Sequence, residues 1–142
     1  MSPIDNNLIV RKMKLVEEDL VKLREFEDAT LETYTNSLEI RLQVERLLER
    51  IVGRVIDINY HILKEKYDYI PTDYYNSFTA LGEKGHVNAQ FAKEVALSSG
   101  LRNALAHEYD DVDDELVFNS IKTCLTQIPH YLKDILTINE KS

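Results

Sequence analysis

The chain has 142 residues, of which 44% are hydrophobic and 30% are charged, a composition typical of one water-soluble globular domain. Its net charge of −8 argues against a general nucleic-acid-binding protein, because a phosphate backbone attracts cationic surfaces. The first residues do not resemble a signal peptide, and no apolar run reaches the roughly 18 residues of a membrane span, so we expect a cytoplasmic protein without a membrane partner.

Two long helices are predicted for the first half of the chain. An apolar stripe with steps of three and four residues predicts an amphipathic helix at about residues 4–27. The same rhythm predicts a second helix over roughly 31–66, which would be the spine of the fold. Gly53 lies inside this helix, where glycine costs about 1 kcal/mol relative to alanine. Either a close helix–helix contact or simple tolerance explains it.

A third and a fourth helix are predicted after a break in the pattern. Segment 71–73 combines a proline with an aspartate that can cap a helix, so a short third helix should begin there. This helix should end at Gly82 or Gly85. Asn88 can cap a fourth helix that continues to Leu105.

The last helix completes an all-α architecture. Asp113 can cap a fifth helix with a core face that extends to Ile135. Pro129 lies inside that helix and should kink it near Leu125. We find no internal repeat and no alternating pattern that predicts a strand. The sequence therefore predicts a single domain over residues 1–142, folded as a five-helix bundle.

The segment from Arg102 to Tyr109 is the most informative part of the chain. It places a permanent cation, a carboxamide (Asn103), an imidazole (His107) and a phenol within eight residues. An arginine can hold a phosphate and a histidine can move a proton near neutral pH, and cleavage of a phosphodiester needs both abilities. The alternative is that these are ordinary surface or core residues of a helix.

Without a metal, the chemistry would use the 2′-hydroxyl of RNA. His107 would take a proton from that hydroxyl or give one to the leaving 5′-oxygen. Arg102 would stabilise charge on the phosphoryl oxygens, and Asn103 would donate to the phosphate or fix the imidazole tautomer. Because internal attack requires the 2′-hydroxyl, RNA and not DNA would be cut.

Helical geometry restricts how these side chains can meet. On a straight α-helix, Arg102 and His107 point about 140° apart. Three arrangements would bring them to one phosphate. The helix unwinds near Ala106, Asn103 bridges the two faces, or the site draws residues from two chains of a symmetric dimer.

The predicted second helix carries five further candidates. Three arginines at four-residue spacing form a stripe that could contact RNA phosphate, or could simply pair with neighbouring acids such as Glu49. Asp57 and His61 are also four apart, and could support the site or a dimer interface, or form a structural pair. The three arginines are Arg46, Arg50 and Arg54.

Metal and cofactor chemistry is not indicated. No two histidines lie three or four residues apart with a nearby acid as a third ligand. Cys124 is the single cysteine, which excludes a multi-cysteine metal site. Several tyrosines could stack on bases, although packing is the default for tyrosines in a helical bundle. They are Tyr34, Tyr60, Tyr67, Tyr69, Tyr74 and Tyr75.

The spacing Arg-x-x-x-x-His-x-Tyr, here Arg102, His107 and Tyr109, resembles the signature of the HepT-like toxins of the HEPN superfamily. Other parts of the chain are also similar to that family, and the resemblance covers roughly residues 35–135. These parts are the segments 43–48, 55–63, 71–81 and 100–103.

The resemblance implies a helical bundle that forms a homodimer and acts as a metal-independent endoribonuclease toxin. Arg102, Asn103 and His107 would carry the cleavage of mRNA or tRNA, and the product would end in a 2′,3′-cyclic phosphate. The partner would be an MntA-like nucleotidyltransferase antitoxin that transfers AMP from ATP to Tyr109 and so neutralises the toxin. The alternative function is a non-catalytic helical module that partners a nucleotidyltransferase, with the motif serving only for docking.

Overall fold

The computed structural model describes residues 6–106 and 112–141, and this part of the chain contains seven helices and no strand. The all-α prediction is confirmed. None of these helices is both long and apolar enough to cross a membrane. The helices are α1 (Asn6–Arg24), α2 (Leu31–Asn36), α3 (Leu38–Tyr67), α4 (Tyr74–Glu83), α5 (Ala89–Ala96), α6 (Ser98–Ala106) and α7 (Asp114–Lys141).

Helix α3 is the spine of the molecule, as the sequence predicts. Helices α1, α4, α6 and α7 all pack against it. Its inward face is buried from Val44 to Leu63, which removes apolar surface from water over about five turns. The largest fully buried apolar side chains of α3 are Leu48, Ile51, Ile58, Ile62 and Leu63.

The predicted helix over 31–66 is divided in two at Ser37. The backbone of Ser37 is extended, and its Oγ accepts a hydrogen bond from the Ile40 amide (3.2 Å), so it caps α3. Thr30 caps α2 in the same way by accepting from the Thr33 amide (3.1 Å). Short hydroxyl side chains compete with the backbone for hydrogen bonds. Here the Ser37 hydroxyl replaces a backbone acceptor, so α2 ends and α3 begins at this residue.

The predicted fourth helix is also divided, at Leu97, into α5 and α6. Ser98 Oγ donates to the Val95 carbonyl (2.6 Å), and Ser99 Oγ donates to the Ala96 carbonyl (2.7 Å). The Gly100 amide then bonds to the Leu97 carbonyl, three residues back instead of four (3.3 Å). The two serines therefore occupy carbonyls at the junction, and α6 begins as a separate short helix.

The predicted helix ends are confirmed where capping residues define them. Asp73, Asn88 and Asp113 each accept a hydrogen bond from a backbone amide in the first turn of α4, α5 and α7. Gly85 has a φ of 83°, a left-handed conformation that glycine adopts without strain. Its amide bonds to the Gly82 carbonyl, and this closes the end of α4. Helix α7 continues through Pro129 to Lys141.

Candidate functional site

Arg102 lies on α6 and is half-buried against α3. Its Nε is shielded from solvent and has no hydrogen-bond partner. Below it is Gly53, where an added Cβ would lie 3.7 Å from that nitrogen, an ordinary van der Waals distance. Gly53 is therefore not required by a tight contact, which favours the tolerance explanation. Within residues 6–106 and 112–141, no carboxylate forms an ion pair with Arg102.

The guanidinium of Arg102 packs on an aromatic ring. Its central carbon lies 5.2 Å from the centroid of Tyr74, the first residue of α4. Tyr60 on α3 meets Tyr74 edge-on, with ring centroids 6.2 Å apart and an interplanar angle of 79°. Arg102, Tyr74 and Tyr60 therefore lie in a row. The positive guanidinium is attracted to the electron-rich face of the Tyr74 ring.

A buried chain of hydrogen bonds connects α7 and α3 to Tyr74, the first residue of α4. The Tyr131 hydroxyl donates to Asn59 Oδ1 (2.7 Å), and Asn59 Nδ2 donates to Ser77 Oγ (3.1 Å). Ser77 Oγ donates in turn to the carbonyl of Tyr74 (2.7 Å). The side chains of Tyr131, Asn59 and Ser77 are all shielded from solvent. This chain links α7, α3 and α4 at the residue that contacts Arg102.

The phenols of Tyr60 and Tyr131 stay neutral at physiological pH, because both have a raised pKa. Burial raises the pKa of Tyr60, and the neighbouring Tyr74 and Asp73 raise it further. Burial also raises the pKa of Tyr131 well above its ordinary value, although the hydrogen bond to Asn59 acts in the opposite direction. Neither phenol therefore supplies an anion that would compete with a phosphate for Arg102.

Of the other three motif residues, the structure describes only Asn103. Asn103 follows Arg102 on α6 and is exposed to solvent. His107 and Tyr109 lie outside the described residues, so the geometry between Arg102 and His107 stays a prediction. Within the part of the chain that the structure describes, no three His, Cys, Asp or Glu side chains group as metal ligands would.

The arginine stripe of α3 contacts acids. Arg50 Nε and Arg54 Nη1 lie 3.2 and 2.7 Å from Oδ2 of Asp19, whose side chain is only 2% exposed. Arg46 pairs at 3.8 Å with Glu49, the partner that its spacing predicts, and remains mostly exposed. Arg50 and Arg54 therefore tie α3 to α1, and their contact with RNA stays a prediction.

Asp19 is a residue that the sequence interpretation missed. The available signal was its position, since it lies three residues after Val16 and four before Leu23 on the apolar stripe of α1. An acid on a buried stripe requires a cationic partner, because an unpaired buried charge is costly. Asp57 also connects α3 to α1, through an exposed ion pair with Lys12 (3.3 Å).

A separate feature is an apolar cavity of about 370 Å³ between α3, α6 and α7. Leu48, Leu101 and Ile128 line it, together with the buried thiol of Cys124. Burial raises the pKa of that thiol to about 12, so it stays protonated and unreactive at neutral pH. Arg102 does not line this cavity.

Comparison with known proteins gives consistent results. Residues 16–135 match the model of the family described as Ribonuclease HepT-like. The tRNA nuclease HepT of Aphanizomenon flos-aquae is 37% identical over 146 aligned positions, which cover 100% of this chain and 99% of that protein.

Solved structures with low sequence identity share the fold. One, described as a toxin–antitoxin with AMP-PNP, has a TM-score of 0.85 at 20% identity and covers 93% of this chain and 99% of its own. Another, described as a tri-AMPylated Shewanella oneidensis HEPN toxin in complex with an MNT antitoxin, has a TM-score of 0.84 at 20% identity and covers 93% and 98%. The predicted HEPN-like fold is confirmed. So is the predicted enzyme class, because the chain belongs to the ribonuclease HepT-like family.

Proposed function

We propose that this protein is the toxin of a toxin–antitoxin pair and that it cleaves RNA at Arg102, Asn103 and His107 without a metal ion. The observation that carries the proposal is the state of Arg102. Its guanidinium is held on an aromatic face, and no carboxylate among the described residues neutralises it. A cation kept in this state can receive a phosphate. The 37% identity to a tRNA nuclease supports tRNA as the first substrate to test.

In this mechanism the RNA supplies its own nucleophile. His107 removes the proton of a 2′-hydroxyl, and the oxygen attacks the adjacent phosphorus. The bond from phosphorus to the 5′-oxygen of the next nucleotide breaks, and that oxygen takes a proton from the protonated His107 or from water. The products are a 2′,3′-cyclic phosphate and a 5′-hydroxyl. Arg102 stabilises the charge that develops on the phosphoryl oxygens, with Asn103 as a second donor.

We further propose that an MntA-like nucleotidyltransferase neutralises the protein by transferring AMP to Tyr109. The added phosphate would lie two residues from His107, where it would compete with RNA for Arg102 and repel the substrate backbone. The structural similarity to an AMPylated HEPN toxin supports this choice of regulation. We also propose that the protein acts as a homodimer, so that a second chain can contribute to the site.

The test is cleavage of tRNA by purified protein in EDTA, with Arg102→Ala, Asn103→Ala and His107→Ala compared with wild type. We expect His107→Ala and Arg102→Ala to lose at least about 100-fold in rate while keeping the wild-type melting temperature. Full activity of His107→Ala would overturn the mechanism. If highly pure wild-type protein cuts no RNA at micromolar concentration, the non-catalytic module that partners a nucleotidyltransferase becomes the better explanation.

A further inference from the structure

We propose that Tyr74 is a positioning residue that holds the Arg102 guanidinium ready for the RNA phosphate, and that the buried chain Tyr131–Asn59–Ser77 fixes Tyr74 in turn. The inference rests on the proposed function of Arg102. Three observations support it. The guanidinium carbon lies 5.2 Å from the ring centroid of Tyr74, Ser77 bonds to the Tyr74 carbonyl, and Tyr60 meets the Tyr74 ring edge-on.

An aromatic partner suits an arginine that must bind a phosphate. A carboxylate would hold the guanidinium through the same N–H groups that the phosphate needs, and it would cancel the charge. A ring face attracts the cation without using any of those donors. Tyr74 can therefore restrict the motion of Arg102 and leave its hydrogen-bonding capacity for the substrate. Arg50 and Arg54 show the contrast, because both are engaged by Asp19.

Tyr74 is itself constrained both at its backbone and at its ring. Its backbone carbonyl accepts from Ser77 Oγ, and Ser77 is bonded to Asn59, which accepts from Tyr131. The edge-on contact with Tyr60 restricts the ring plane. A side chain that begins a short helix would otherwise have some freedom. This support means that a displacement of the guanidinium is resisted by three helices.

The first measurement uses the free protein and does not depend on activity. The Nε–Hε resonance of Arg102, assigned with Arg102→Lys, should move when Tyr74→Leu removes the ring current, and its hydrogen exchange should become faster. Tyr74→Phe keeps the ring and should leave both close to wild type. Tyr75→Leu is the matched control, since Tyr75 is the adjacent tyrosine and is 42% exposed. If Tyr74→Leu does not fold, Tyr74→Met removes the ring at similar length.

The second measurement is tRNA cleavage under single-turnover conditions. We expect Tyr74→Leu to lose about tenfold in rate, because small losses of alignment are costly in catalysis. Tyr74→Phe and Tyr75→Leu should stay within about twofold of wild type. In the Arg102→Ala background, Tyr74→Leu should cause no further loss of the residual rate, because the two residues act as a unit.

The outcomes separate this inference from the proposed function. If Arg102→Ala is inactive but Tyr74→Leu keeps both the wild-type rate and the wild-type Arg102 resonance, the positioning role is wrong and the proposed function stands. If Arg102→Ala cleaves RNA as well as wild type, the proposed function is wrong. Equal losses in Tyr74→Phe and Tyr74→Leu would also overturn the inference, because the role would then lie in the hydroxyl and not in the ring.

Discussion

At the scale of single residues, the environment of each charged group decides whether it can take part in function. Arg102 packs on the Tyr74 ring, whereas Arg54 lies 2.7 Å from a buried carboxylate. Both residues were candidates from sequence, where an arginine on a helix looks the same in either setting. The difference arises from residues far away in the chain, Tyr74 for the first and Asp19 for the second.

The carboxylate of Glu45 lies in an environment that disfavours its negative charge. Burial raises its pKa, Asp114 raises it further, and the opposing effect of Arg41 is smaller. The folded protein therefore binds a proton at Glu45 more readily than the unfolded chain does, so the ionised form reduces stability at neutral pH. This carboxylate lies on α3.

We expect Glu45→Gln to raise the free energy of unfolding at pH 7. The gain should shrink as the pH falls through the raised pKa of Glu45 and level off below the ordinary value of 4.5, where the wild-type carboxyl is protonated in both states. Urea unfolding at several pH values would measure this. Glu18→Gln, at an exposed position of α1, is the control for the removal of one negative charge. A gain that grows as the pH falls would contradict the assignment.

At the scale of helices, the strongest predictions from sequence came from caps and apolar periodicity. Asp73, Asn88 and Asp113 start α4, α5 and α7 because each combines a short acceptor with a following helical pattern. The divisions at Ser37 and Leu97 could not be predicted in this way. The apolar rhythm of 31–66 continues across Ser37, and periodicity does not register a hydroxyl that competes for one backbone bond.

Two glycines inside helices provide a matched pair at this scale. Gly53 has space for a Cβ, so Gly53→Ala should stabilise the protein by about 0.5–1 kcal/mol through helix propensity.

At Gly82, a Cβ would lie 2.8 Å from the Ala92 Cβ and 3.2 Å from the Ala89 Cα, where α4 packs on α5. Gly82→Ala should therefore destabilise by about 1–3 kcal/mol. Thermal melting of both variants checks the signs, and a stabilised Gly82→Ala would contradict this packing.

The contact of Asp19 with Arg50 and Arg54 joins α1 to α3. Asp19→Ala leaves two cations close together without their acid, and should lower the free energy of unfolding by about 2 kcal/mol. Arg46→Ala is the control, because its exposed pair with Glu49 should contribute less than about 0.5 kcal/mol. Urea unfolding measures both. The rate of RNA cleavage by folded Arg46→Ala then tests the predicted contact with RNA, because the loss of a phosphate contact would lower that rate at unchanged stability.

At the scale of the whole molecule, the fold class and the family could be predicted from the sequence. The hydrogen bonds that support Tyr74 and Arg102 could not. The motif Arg102–His107–Tyr109 is contiguous, so its spacing could be recognised directly. The chain from Tyr131 through Asn59 to Ser77 joins residues that are up to 72 positions apart, and only the folded structure brings them together. Packing was the default prediction for the tyrosines, and Tyr74 does pack. The sequence did not indicate that Tyr74 packs against Arg102, the arginine of the motif.

The central claim is that this protein cleaves RNA by attack of the 2′-hydroxyl on the adjacent phosphate, with Arg102 and His107 and without a metal. The most direct test compares two RNAs in EDTA that differ only in a single 2′-deoxy nucleotide at the mapped cleavage position. We predict that the unmodified RNA is cut to a 2′,3′-cyclic phosphate and a 5′-hydroxyl, and that the 2′-deoxy RNA is not cut at that position. Cleavage of both RNAs at the same position and rate, or activity only after a divalent metal is added, would contradict the account.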